Sequence, residues 1–185
     1  MKPDKPFRMA FPLLLVASLV CGPDAYAGDF YVGADLNRTY VDESVDIDGT
    51  DILLDGEATG MRLAFGYAFN DYFAAEVAHV DFGSLDESAL GLSLSAEADG
   101  QELSILGRVP LGERVALYGR LGYISWDGDV SVETESAGIS GNDLSVGAGL
   151  EFAFGESLTV GMSVTKYRLD DLDFAVLGAG IRYRF

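Results

Sequence analysis

The chain has 185 residues, 30 of them acidic against 12 basic, for a net charge of −18 at neutral pH. That excess of negative charge repels nucleic acid, while 49% hydrophobic residues, with 11 Phe and 9 Tyr, exclude a disordered acidic chain. A single cysteine, Cys21, excludes an internal disulfide.

The first segment reads as a leader. Lys2, Lys5 and Arg8 precede the apolar run Met9–Val20, and Ala25-Tyr26-Ala27 stands before Gly28. A basic start, a short apolar run and an A-x-A site define a secretory signal peptide. The run falls short of the roughly 20 residues that span a bilayer as a helix. Residues 1–27 are therefore expected to be removed, leaving one domain over 28–185. Val20 is not the small residue that lipoprotein processing requires before a cysteine, so Cys21 is read as part of the leader. The leader carries three basic and two acidic residues, so the remainder has no cysteine and a charge of −19.

Eight segments then repeat one pattern, apolar at every second residue, which is the period of a β-strand. In chain order they are 30–38 (Phe30, Val32, Ala34, Leu36), 60–69 (Leu63, Phe65, Tyr67, Phe69), 72–82 (Phe73, Ala75, Val77) and 101–109 (Leu103, Ile105, Val109). There follow 115–126 (Leu117, Leu121, Tyr123), 143–154 (Val146, Ala148, Leu150, Phe152, Phe154), 157–167 (Leu158, Val160, Met162, Val164) and 174–185 (Ala175, Leu177, Ala179, Ile181, Tyr183, Phe185). Each is about ten residues, the length a tilted strand needs to cross hydrocarbon. Their connections alternate. Asn70-Asp71, Leu111–Arg114 and Gly155-Glu156 are tight turns, whereas 39–59, 83–100 and 127–142 are long, and Leu169–Leu172 is short again. Short turns on one rim and long connections on the other fit a membrane barrel. An even strand count places both termini on the short-turn rim.

The opposite face of these strands carries Arg62, Glu76, Glu102, Arg108, Arg120, Glu151 and Arg182, interleaved with Gly66, Gly147, Gly149, Gly178 and Gly180. Backbone groups in lipid must all be paired, so a spanning sheet must close. Eight strands leave a bore that side chains fill. The fold class expected is all-β, an eight-stranded antiparallel transmembrane up-and-down barrel. Glu76 and Glu151 are expected to meet arginines such as Arg108 and Arg120 inside it, because burying either sign alone is costly. Two aromatic girdles are expected, with Phe30, Phe69, Tyr72, Phe73, Phe152, Phe154 and Phe185 at the short-turn rim and Trp126, Tyr167 and Phe174 at the other.

These segments resemble the membrane domain of the OmpA-like outer-membrane proteins, which include small barrels of the "porin family". The likeness rests on Tyr31-Val-Gly-Ala-Asp-Leu36, on Gly66–Glu76 followed by Asp81-Phe-Gly83, on Leu117–Gly122, on Gly147–Glu151 and on Arg182-Tyr-Arg-Phe185. It implies a Gram-negative outer-membrane location with both termini periplasmic, and contact with outer-membrane lipids and lipopolysaccharide. It also implies assembly by the outer-membrane barrel machinery through a terminal signal at Ile181, Tyr183 and Phe185. The interior ion network of the family maps onto Glu76, Arg108, Arg120 and Glu151. This chain departs at Gly161 and Ser163, where relatives often carry an arginine and a glutamate, and at Arg182, where relatives often have a small residue. A rewired network is expected, with a closed or very narrow bore.

Catalysis is not expected. The only histidine, His79, has no serine two residues away on its face, so the dyad of a lipid A deacylase is missing. No cofactor and no metal centre is expected. Asp42, Glu43, Asp46, Asp48, Asp51, Asp55 and Glu57 make the first long connection acidic, but Gly49 stands too early for an EF-hand loop, and only weak divalent-cation binding is entertained. Val45, Ile47 and Ile52, then Leu90, Leu92 and Leu94, suggest strands that continue past the membrane as hairpins. The function expected is structural, supporting envelope integrity and surface interaction. The alternatives are a narrow pore, an adhesin and, last, a lipid A-modifying enzyme.

Overall fold

The computed structural model describes the backbone of residues 28–47, 50–89, 92–132, 135–169 and 172–185, and the side chains in these ranges other than 41–56, 85–96, 130–137 and 169–174. The expected leader, residues 1–27, lies outside the described residues.

Eight strands form one closed sheet in chain order. They are β1 (Asp29–Ile47), β2 (Thr50–Ala68), β3 (Phe73–Ala89), β4 (Leu92–Pro110), β5 (Val115–Val132), β6 (Glu135–Phe154), β7 (Leu158–Leu169) and β8 (Leu172–Arg184). All neighbours are antiparallel, and β1 closes on β8 from Tyr31↔Arg184 to Tyr40↔Ala175. The turns at 69–72, 111–114 and 155–157 share a rim with Asp29 and Phe185, where the Phe185 amide donates to the Phe30 carbonyl at 3.0 Å. At the first of these turns the Asn70 carboxamide oxygen accepts from the amides of Tyr72 and Phe73, at 2.8 and 2.9 Å, a local bond that suits Asn to a tight reversal.

Side-chain alternation sorts the chain by chemistry. Leu36 (71% exposed), Phe73, Ile105, Leu150, Met162 and Ile181 face outward, whereas Glu76 and Glu102 (1% each) face inward. A water-soluble fold would bury the first set and expose the second. Here the sheet is inside out, as a lipid-facing barrel requires.

The strands are longer than the sequence reading drew them. Six run 17 to 20 residues where about ten suffice to cross the hydrocarbon. The connections expected at 39–59, 83–100 and 127–142 are mostly continued strand, paired up to Ile47↔Thr50, Ala89↔Leu92 and Val132↔Glu135. Alternation announced the first two hairpins. The third, rich in Gly and Ser, carries too few large apolar residues to show a period.

One bulge interrupts the extension. The register of β3 against β4 shifts between Asp81 and Ser84, and Gly83 takes φ +84°, a conformation that favours glycine. The Asp81 carboxylate accepts from the Gly83 amide at 2.8 Å and holds the kink.

Candidate functional site

The barrel interior is filled by two apolar clusters and a set of charged side chains. Toward the short-turn rim lie Tyr31, Ala68, Ala74, Leu106 and Tyr118, all at most 5% exposed. At the far end, Val80, Phe82, Ile124, Trp126, Tyr167 and Val176 form a second apolar cluster, with the Phe82 and Tyr167 rings edge to face at 5.0 Å. A network of ions contributed by seven strands runs through this interior, with Arg108 and Glu151 on the turn side of Leu106 and Tyr118 along their strands.

Glu76 on β3 is its hub. Its side chain is fully buried. The Arg62 Nη2 donates to Oε2 at 2.7 Å and the Tyr31 hydroxyl donates to Oε1 at 2.9 Å. Arg120 Nη2 lies 3.5 Å away and Arg182 Nε 3.7 Å away. Glu102 on β4 accepts from Arg62 Nε at 3.0 Å and from the Ser145 hydroxyl at 2.5 Å. Glu151 on β6 accepts from Arg182 Nη1 and lies 3.4 Å from Arg108 Nε. All seven charged residues picked from the sequence therefore meet inside one compartment. Arg182, the residue that departs from the family pattern, bridges the two carboxylates Glu76 and Glu151.

Sequence reasoning missed several partners. Asp35 reaches Arg62 Nη1 at 3.7 Å and supplies a fourth anion against the four arginines. The Tyr31 and Tyr118 rings lie under guanidinium groups, Arg108 at 5.5 Å from the first and Arg182 at 5.0 Å from the second. Ser145 caps Glu102. Each of these residues shares the parity of the inward charges on its strand, so strict counting from the apolar set would have found them.

Parity also corrects the outer girdle. Trp126 and Tyr167, expected at the lipid boundary, are inside the barrel at 5% and 1% exposure. They follow Arg120, Gly122 and Ile124, and Ser163 and Thr165, on the inward set. The Trp126 indole donates to Asp143 at 2.8 Å, which satisfies its one polar atom. The side chain of Phe174 lies outside the described residues. At the turn rim, Phe30, Phe69, Tyr72, Phe73, Phe152, Phe154 and Phe185 all face outward, as expected. Phe30 packs with Phe65 and Tyr67, and Tyr183 with Phe185.

Several buried guanidinium nitrogens, among them Arg62 Nη1, Arg108 Nη1 and Arg120 Nε, make no hydrogen bond among the described residues. They face carboxylates or rings at longer range. One cavity of about 20 Å³, lined by Tyr31, Arg108, Glu151 and Arg182 and by Ser157 and Arg184, lies toward the turn rim. That is the scale of one water.

Glycine makes room for the rings of Tyr31 and Tyr118. A Cβ on Gly66 would stand 2.2 Å from the Tyr31 ring, and one on Gly149 would stand 2.6 Å from the Tyr118 ring. Gly66→Val is expected to destabilise the barrel by about 1–3 kcal/mol, the cost of overpacking. The shift in urea midpoint of the refolded protein in lipid vesicles measures it.

His79 faces the lipid side, where its Nδ1 lies 2.9 Å from the Gln101 amide nitrogen. Among the described residues no three His, Cys, Asp or Glu side chains converge as metal ligands. Glu57 pairs with Arg38, and the other acids of the first hairpin, Asp42 to Asp55, lie outside the described side chains.

The lipid-facing apolar belt, the closed sheet and the ion-filled bore define a membrane-spanning β-barrel of the outer-membrane kind. The chain belongs to the outer membrane protein beta-barrel domain family, whose model matches residues 10–185. A search of curated proteins found no match. Among solved structures, it is similar to Ail, the attachment invasion locus protein of Yersinia pestis, in complex with the heparin analogue sucrose octasulfate, at 22% identity and a TM-score of 0.60, over 85% of this chain and 99% of that one. It is also similar to Neisserial surface protein A, NspA, at 16% identity and a TM-score of 0.63, over 84% and 97% of the two chains. A third is OprG of Pseudomonas aeruginosa, at 18% identity and a TM-score of 0.60, over 86% and 96%. The family places the protein in the outer membrane; the structural likenesses establish the shared fold.

Proposed function

We propose that this barrel is a non-conducting, non-enzymatic element of the outer membrane, serving envelope integrity and presenting an acidic surface to the outside. The observation that carries this reading is the filled bore, in which seven charged side chains, none more than 8% exposed, are packed among buried aromatic and apolar residues. Residues 1–27 direct export and are removed. The shared rim of short turns and termini faces the periplasm, and Ile181, Tyr183 and Phe185, all outward-facing, present the terminal strand to the assembly machinery. Lipopolysaccharide is the natural neighbour of the outer rim, where the exposed cations Arg38, Lys166 and Arg168 stand on β1 and β7, the two strands that flank β8.

Recording across a planar bilayer tests the sealed bore. The refolded barrel is expected to show no steady conductance above the protein-free membrane. Sustained discrete openings in the unmodified protein would favour the narrow-pore alternative. Purified protein is expected to leave lipid A unmodified, since His79 has an amide rather than a serine and a carboxylate at hand.

The surface role differs in sign from that of a binder of polysulfates. Ail was solved with sucrose octasulfate. Here no Lys or Arg occurs in 39–61, 63–107 or 121–165, which include all three long hairpins. Such a surface repels a polyanion and suits cationic partners or bridging divalent cations.

A further inference from the structure

The interior charges balance in number but not in place. Three of the carboxylates crowd Arg62, with Glu76, Glu102 and Asp35 at 2.7, 3.0 and 3.7 Å from it. The turn end of the bore is left with more cations than anions. Its cavity of about 20 Å³ is lined by Arg108, Arg182 and Arg184, by Glu151, and by three residues that carry hydroxyls, Tyr31, Ser157 and Thr159. Glu151 is already engaged, accepting from Arg182 Nη1 and lying 3.4 Å from Arg108 Nε. Asp29 stands 3.6 Å from Arg184, between side chains that are half exposed at the rim.

Arg108 is the side chain left short of partners. It is 8% exposed. Its Nη1 and Nε make no hydrogen bond among the described residues, and its Nη2 reaches the Tyr31 hydroxyl only at 3.5 Å. A guanidinium carries five N–H donors and no acceptor, and a buried donor left unmatched destabilises the fold. β7 and the turn before it bring Ser157, Thr159 and Gly161 to this end rather than a carboxylate, with Gly161 opposite Glu151 in the register.

The lining therefore offers donors in excess of acceptors. A water molecule would need acceptors for its own two hydrogens, whereas an anion only accepts. Volume selects among anions. The space is on the scale of one water; a halide is little larger, and phosphate or sulfate needs several times more. Ser157 is exposed and Arg184 half exposed, so the cavity lies within reach of the aqueous rim.

We infer that the cavity at the turn end of the bore is a halide site, in which chloride accepts from Arg108 and balances the guanidinium charge that Glu151 leaves uncompensated. The inference goes beyond the envelope role proposed above and does not rest on it, because a site reached from one rim requires no passage through the bore.

The test uses the full barrel refolded in zwitterionic nanodiscs, with potassium chloride as the probe. The chlorine NMR line of free chloride broadens when the ion exchanges with a protein site. The excess width caused by the barrel is expected to saturate with chloride, to be displaced by bromide and to resist sulfate at equal ionic strength. Arg108→Gln is expected to weaken chloride binding at least about tenfold, the loss of a charge-assisted hydrogen bond. Ser157→Asp sets a carboxylate at the mouth of the cavity without removing any member of the ion network. It is expected to weaken binding by a similar factor, with circular dichroism and heat-modifiable migration unchanged, so the test holds even where Arg108→Gln does not fold. Ser157→Asn is expected to bind as the unmodified protein does. Absence of saturable broadening in the unmodified protein overturns the inference. So does displacement by sulfate as readily as by bromide, or an affinity unchanged in Ser157→Asp or in folded Arg108→Gln, since either would mean diffuse attraction to the surface. None of these readouts involves bilayer conductance, so the non-conducting reading stands or falls separately.

Discussion

Replacing Glu76 by alanine is expected to cost the barrel about 3–5 kcal/mol, the loss seen when one partner of a buried ion pair is removed. Glu76 neutralises Arg62, Arg120 and Arg182 together and accepts from Tyr31. Arg62 keeps Glu102 and Asp35, and Arg182 keeps Glu151. Arg120 loses its closest carboxylate and is left beside the Tyr118 ring, with its guanidinium carbon 5.7 Å from the ring centre. The double variant Glu76→Ala/Arg120→Ala is accordingly expected to recover part of the loss, with a coupling energy of about 1–3 kcal/mol. Glu76→Gln, which keeps volume and an acceptor, is expected to fall between. Urea unfolding in lipid vesicles, followed by the gel shift between folded and heat-denatured forms, measures all three. Additive losses would mean that Glu76 and Arg120 do not share one buried compartment.

The second large effect is expected on the other face, one residue away from an interior ion. Leu150 lies midway along the outward row of β6, between Leu144 and Phe154, and is half exposed to what surrounds the barrel. Leu150→Arg is expected to destabilise by about 2–4 kcal/mol, the depth-dependent cost of a cation near the middle of the bilayer. Its neighbour Glu151 carries a charge without that cost because it turns inward to Arg108 and Arg182. On the same outward rows, Arg38 and Lys166 are tolerated at the rim, where the chain leaves the hydrocarbon. The same unfolding titration separates the cases. Leu150→Arg is expected to shift the midpoint strongly, and Lys166→Ala to leave it within about 0.5 kcal/mol, as for an ordinary surface change.

The sequence revealed the barrel because its physics is local. A strand in lipid must alternate strictly, and turns confined to one rim must be short, so the residue pattern alone carries the eight crossings. The seven interior charges were equally legible, being charges set at inward parity in otherwise apolar strands. Trp126 and Tyr167 were misplaced because their chemical type, which suits a membrane boundary, was weighed above their position in the alternation. Their parity with Ile124 and Thr165 turns them inside, where they pack with Val80, Phe82 and Val176. Asp35, Tyr31, Tyr118 and Ser145 were passed over for a related reason. A polar residue on a strand shows its face but not its partner across the bore, since barrel curvature, rather than spacing along the chain, decides which side chains meet.

The measurement that bears most directly on the transmembrane barrel is depth-resolved quenching along β7. Trp126 is the only tryptophan, so Trp126→Phe gives a silent background into which a single tryptophan is placed at Val160, Met162, Val164 or Lys166 in turn. Vesicles are made from lipids brominated at different acyl positions. The protein described here predicts strong quenching at Val160, Met162 and Val164, strongest for bromines near the bilayer centre at Met162, and weaker, shallower quenching at Lys166. Fluorescence indifferent to brominated chains but quenched by aqueous iodide at Met162 would contradict it, because that outward row would then be facing water.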